Sequence, residues 1–136
     1  MALELEKRFG YSDLMPEGIR AIFVELCEDV VLLHNGWDLF TDLYGSPRNR
    51  ELMAELAYYS FKIFRRTLVD EVIIGICCLG DPAQSGRNGK NKNLSLARLV
   101  ESCPDPSNEL TAILEKFNTA QTPVKKFRNE RVGIEI

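Results

Sequence analysis

Residues 69–79 read VDEVIIGICCL, and whether they form a strand or a helix decides the fold class. Val69, Val72, Ile73, Ile74 and Ile76 are β-branched, which favours a pleated strand when the segment is taken alone. The surroundings favour helix. Leu52, Leu56, Tyr59, Ile63 and Leu68 recur at helical spacing upstream and run into the stretch without a break. No other run offers a partner strand. The segment is therefore the last part of a long helix whose core positions are Leu52, Leu56, Tyr59, Ile63, Leu68, Val72, Ile73 and Ile76. Ser46-Pro47 opens it as cap and first turn, and Gly80-Asp81-Pro82 stops it after Leu79.

Towards the N-terminus, Ile19, Ile22, Phe23, Leu26, Val30, Leu33, Trp37 and Phe40 form a second apolar stripe, on a helix over 15–44 ended by Gly45. Ser12 or Asp13 is its expected cap, with Pro16 in the first turn and a polar arm, 1–13, ahead of it. Towards the C-terminus, GDPAQSGRNGKNK (80–92) has the composition of a flexible loop. Asn93 can cap a short helix, LSLARLVES, and Cys103-Pro104-Asp105-Pro106 makes a rigid turn. Ser107 can cap a helix carrying Leu110, Ile113, Leu114 and Phe117. Thr122-Pro123 then either starts a further helix or kinks a continuous one, with Val124 and Phe127 facing inward. The expected fold is all-α: one domain, 1–136, forming an up-down bundle of about five helices, two of them long and antiparallel.

Composition narrows the function. A net charge of −3 is low for a protein that holds duplex DNA by neutralising phosphates, although a local basic patch remains open to RNA. The four cysteines form no C-x-x-C pair and there is one histidine, so no metal site or cofactor is expected. Reduced thiols, no signal-peptide pattern and no apolar run near the ~20 residues needed to cross a bilayer make a cytoplasmic protein the expectation. No G-x-x-x-x-G-K-[ST] or G-x-G-x-x-G phosphate loop is present. His34 has no nucleophile near it in sequence and reads as a helix-face residue. Asp70 and Glu71 point about 100° apart on a helix and cannot act as one clamp.

The strongest local signal is VKKFRNERVG (124–133), where Lys125, Lys126, Arg128 and Arg131 face one opposing charge, Glu130. Arginine's planar fork suits phosphate or carboxylate, and a basic last turn also complements the helix dipole. Trp37, Phe40 and Tyr44 form an aromatic series suited to a dimer or partner surface.

In order and spacing, the series resembles the HEPN superfamily, and within it the branch related to abortive-infection AbiU-type proteins. The matching pieces are Trp37 and Phe40, LYGSPRNRELM (43–53), DEVIIGICCLGDP (70–82), KNLSLARLVE (92–101) and FRNERVG (127–133). Together they cover roughly residues 20–133. The resemblance implies a phage-defence or toxin–antitoxin setting and a homodimer that brings two motifs together at a cleft. It also implies metal-independent RNase chemistry, with a cognate antitoxin or defence-system protein as partner. The superfamily signature is an arginine, a polar residue, then a histidine five to seven positions after the arginine. Arg128 and Asn129 match the first two positions as partial catalytic residues, while the histidine window holds Gly133, Ile134 and Glu135. A histidine titrates near neutral pH and those residues do not. Two accounts follow. In one, the ending GIEI replaces the histidine segment, and a longer C-terminus would restore an endoribonuclease. In the other, the chain keeps the fold for binding. A non-catalytic helical homodimer or partner-binding module is the competing expectation.

Overall fold

The computed structural model describes residues 15–132. The polar arm, the caps at Ser12 and Asp13, and the histidine window at 133–135 lie outside them. Helix α1 spans Glu17–Tyr44 and α2 spans Pro47–Leu79. A two-residue hairpin, β1 (Gln84–Ser85) and β2 (Asn91–Lys92), leads to the short α3 (Leu96–Ser102) and then α4 (Asn108–Val132). The class is all-α, with VDEVIIGICCL helical throughout.

Local chemistry explains the boundaries. Pro16 precedes α1, and its carbonyl accepts from the amides of Ile19 and Arg20 at 3.0 Å each. At the other end Gly45 keeps right-handed helical angles. The chain breaks one residue later, where Ser46 is extended (φ −105°, ψ 146°), as a residue before proline must be. Ser46 Oγ then caps α2 by accepting from the Asn49 amide at 3.1 Å. α2 is interrupted at Ala57, whose backbone is extended (φ −163°, ψ 70°), so Pro47–Leu56 forms an arm set off from the rest of the helix.

Three boundary expectations are corrected. The loop at 80–92 is a closed hairpin with Gln84 opposite Lys92 and Ser85 opposite Asn91. Gly86 there takes φ +79° and ψ 178°, a conformation open only to glycine. Asn93 does not cap α3. It is spent on closing the hairpin, donating to the Pro82 carbonyl at 2.7 Å and accepting from Ser85 Oγ at 2.9 Å. The fully buried Ser95 caps instead, through Oγ to the Arg98 amide at 3.3 Å. Finally, α4 runs through Pro123, which gives four α-helices among the described residues rather than five. Ser107 caps α4 as expected, accepting from the Leu110 amide at 3.2 Å.

The two long helices are antiparallel: Gly36 faces Val72 and Gly75 faces Leu33. A Cβ on Gly75 would lie 2.9 Å from Leu33 Cδ1, so the helices approach at that point because no side chain stands between them. One core cluster, Ile22, Leu26 and Leu79, is overlaid by Leu94, Leu96, Leu99 and Phe117 and ties the four helices together. A second, Tyr44, Met53 and Leu68, fixes the arm against the α1–α2 turn. The expected core row Leu52, Leu56, Tyr59 and Ile63 is not in either cluster. Those side chains are exposed by 53%, 70%, 78% and 67%. No helix among the described residues is long and apolar enough to cross a membrane.

Candidate nucleic-acid interface

The basic run lies on the last three turns of α4, which packs antiparallel along the C-terminal half of α2. Two of its four cations fasten the helix. Lys125 Nζ donates to the Gly80 carbonyl at 2.9 Å, the acceptor left open at the end of α2. Gln121 Nε2 donates to that carbonyl at 3.2 Å and to Asn118 Oδ1 at 2.8 Å. One turn beyond Arg128, Arg131 Nε lies 3.0 Å from Asp70 Oδ1, and Arg66 approaches the other carboxylate oxygen at 3.6 Å. Asp70 thus holds α4 to α2, while the neighbouring Glu71 faces solvent as the helical angle between them requires.

The other two cations are placed differently. Lys126 is exposed and pairs loosely with Glu130 at 3.8 Å, an interaction of negligible strength at such exposure. Arg128 is half-buried, and both its Nε and one terminal nitrogen donate to Asn129 Oδ1 at 3.2 Å. Among the described residues no carboxylate forms an ion pair with it. Its charge is felt at Cys78. Burial raises that thiol's pKa, Asp81, Cys77 and Asp29 add to the rise, and Arg128 opposes it. Phe127, expected to face inward, is 46% exposed, with the Arg131 guanidinium 5.8 Å from its ring centre. Val124 is half-buried.

The aromatic series on α1 divides. Trp37 is 52% exposed and stacks on Phe40 at 5.6 Å. Phe40 is half-buried, and Tyr44 is buried, its hydroxyl donating to the Phe61 carbonyl at 2.9 Å. Tyr44 is therefore core, and a docking surface there reduces to Trp37 and the edge of Phe40. His34 is exposed on α1. No group of three or more His, Cys, Asp or Glu residues suited to a metal occurs among the described residues.

Sequence reasoning missed three participants: Asp70 as the anchor of Arg131, the Gly80 carbonyl as the anchor of Lys125, and Gln121. Their sequence signal is an unremarkable helical Asp, a helix-stop glycine and a mid-helix Gln. What joins them is tertiary proximity. Comparison with known protein families, with curated proteins and with solved structures finds no match.

Proposed function

We propose that this chain is a HEPN-like protein of a phage-defence or toxin–antitoxin system, derived from an RNase and binding RNA without cleaving it. The observation that carries the reading is Arg128. It is a half-buried guanidinium oriented by its neighbour Asn129, without an ion-pair partner among the described residues, on the helix that carries the arginine–asparagine signature. A guanidinium oriented in advance but not neutralised suits a phosphate oxygen. Lys126 beside it adds an unburied positive charge. Lys125 and Arg131, also expected to bind RNA, are committed to holding α4 and are assigned to support. No imidazole follows at positions 133–135, so the group needed to move a proton to or from a ribose hydroxyl is missing from the motif.

The test uses the full chain beside Ile134→His and Arg128→Ala, with a single-stranded RNA, in EDTA. The chain is expected to bind RNA weakly and with steep salt dependence, without cutting it. Ile134→His is expected to cut, and Arg128→Ala to lose binding. Cutting by the unaltered chain that Arg128→Ala abolishes would overturn the binding-only reading. No RNA binding at low salt would overturn the RNA reading altogether.

A second reading, a non-catalytic interaction module, is favoured by one specific observation: the exposed row Leu52, Leu56, Tyr59 and Ile63.

A further inference from the structure

The extended backbone at Ala57 sets the arm aside from the rest of α2, and an open notch of about 240 Å³ lies where the two segments meet the end of α1. Two short helical faces line it. After the break, Tyr58, Phe61, Lys62 and Arg65 recur at spacings of three, one and three, which puts them on one face of the resumed helix. Before the break, Arg50, Met53 and Ala54 share a face of the arm in the same way. The buried side chains of Tyr44 and Met53 form the base. Three cations therefore converge on one aromatic-lined recess, and no carboxylate lines it. Arg50 spends one N–H on the Tyr44 carbonyl at 2.8 Å. Lys62 Nζ lies 5.7 Å from the centre of the Tyr58 ring, and the Arg65 guanidinium lies 6.0 Å from that of Tyr44. Among the described residues none of the three is in an ion pair. Burial raises the Tyr44 pKa and the charge of Arg65 opposes the rise, so that charge is felt at the base. Glu51 and Glu55 are exposed on the arm, outside the lining. In a chain of net charge −3, this is a local excess of positive charge whose mutual repulsion an anion would relieve.

We infer that the notch binds a small organic anion, with one carboxylate or phosphate head on an apolar body of one or two aromatic rings. The head meets Lys62 and Arg65, because an ammonium and a guanidinium fork both suit either group. The body packs on Met53, Tyr58 and Phe61. Size and polarity choose this class. A recess of about 240 Å³ is larger than the ~150 Å³ apolar cavity that accepts benzene and smaller than the ~300 Å³ at which drug-sized pockets begin. Apart from the two phenols, its lining has no uncharged side chain able to hydrogen-bond, and the Tyr44 hydroxyl already donates to the Phe61 carbonyl at 2.9 Å. Reading the edge of a nucleobase takes such groups, so an aryl body fits where a base does not.

The inference stands independently of RNA binding. From Arg65 to Cys78, where the charge of Arg128 is felt, α2 extends on the order of 20 Å, so the notch and Arg128 are separate sites.

The experiment titrates the isotope-labelled full chain with naphthoate, naphthyl phosphate and the neutral naphthalenemethanol, followed by amide NMR shifts and by calorimetry. At least one of the two anions is expected to bind saturably, one molecule per chain. The amide shifts should be confined to the end of α1, the arm and the first turns after Ala57. The tighter anion names the head group. The alcohol should bind about tenfold more weakly or not at all, the loss of a charge-assisted contact. Lys62→Gln and Arg65→Gln change exposed side chains and should each weaken binding about tenfold. Ala54→Trp, which fills the notch, should abolish binding, and the two glutamine variants remain decisive if it misfolds. Lys116→Gln, on an exposed cation of α4, should change nothing. No saturable binding of either anion, equal binding of the alcohol, or binding that survives Lys62→Gln combined with Arg65→Gln would each overturn the inference. It fails too if neither anion binds while those two substitutions weaken single-stranded RNA, since the notch would then belong to a nucleic-acid surface. Arg128→Ala should lower RNA binding and spare naphthoate binding, which keeps the two readings apart.

Discussion

Replacing Lys125 by methionine separates the two uses of the basic run. Methionine keeps most of the aliphatic stem and removes the ammonium that reaches Gly80. A hydrogen bond from a charged donor contributes ~1.5–3 kcal/mol. Two features reduce this here. Lys125 is only half-buried, and the Gly80 carbonyl retains Gln121 as a second donor, so no acceptor is orphaned. The cost should be about 1 kcal/mol, or about 4 °C in Tm for a domain of this size. RNA binding should barely change, because this ammonium already has its partner. Lys126→Met should behave in the opposite way, with Tm within about 1 °C of the original, since its pair with Glu130 contributes little. The slope of log binding constant against log salt should fall by about 0.7, one phosphate contact on a single strand. The assays are a thermal melt and fluorescence anisotropy over a salt series. If Lys125→Met leaves Tm unchanged and lowers the salt slope, the division into fastening and binding cations is wrong.

Two further outcomes follow from the same geometry. Arg128 opposes the upward shift of the Cys78 pKa, so Arg128→Ala should raise that pKa further and leave less thiolate at pH 8; iodoacetamide labelling of Cys78, followed by mass spectrometry, should slow. Ser95→Ala removes a fully buried cap and should cost about 1–2 kcal/mol in chemical denaturation, whereas Asn93→Ala should open the hairpin without unwinding the first turn of α3.

The helices were legible because their signals are local. Ser46-Pro47 and Ser107 each carry cap chemistry within three residues of the amide they satisfy. Asn93 and Ser95 show where such reading fails: both side chains can cap, and the choice fell to Ser95 because the hairpin claims Asn93. Thr122-Pro123 left a new helix and a continuous one both open; α4 is continuous there, because the missing amide of Pro123 removes one hydrogen bond while Gln121 and Lys125 on either side anchor α4 to Gly80. The Leu52–Ile63 row was read as core because its periodicity assumes an unbroken helix, whereas the extended residue at Ala57 breaks α2 between Leu56 and Tyr59 and all four side chains are exposed. At the site, the cluster of charge was plain in the sequence. Which cations were already committed was not, because the Gly80 carbonyl lies 45 residues from Lys125 in the chain.

The single extended residue at Ala57 also divides α2 dynamically. A continuous helix of that length would open to solvent as one cooperative unit. Here Pro47–Leu56 is held by one buried side chain of its own, Met53, and by hydrogen bonds from Asn49 and Arg50 to the end of α1. The segment beyond the break is locked by Leu68, Val72, Cys77 and Leu79. Amides of the arm should therefore exchange with deuterium through a local opening far less costly than global unfolding. The molecule can loosen that end while the helix that positions Arg128 stays closed.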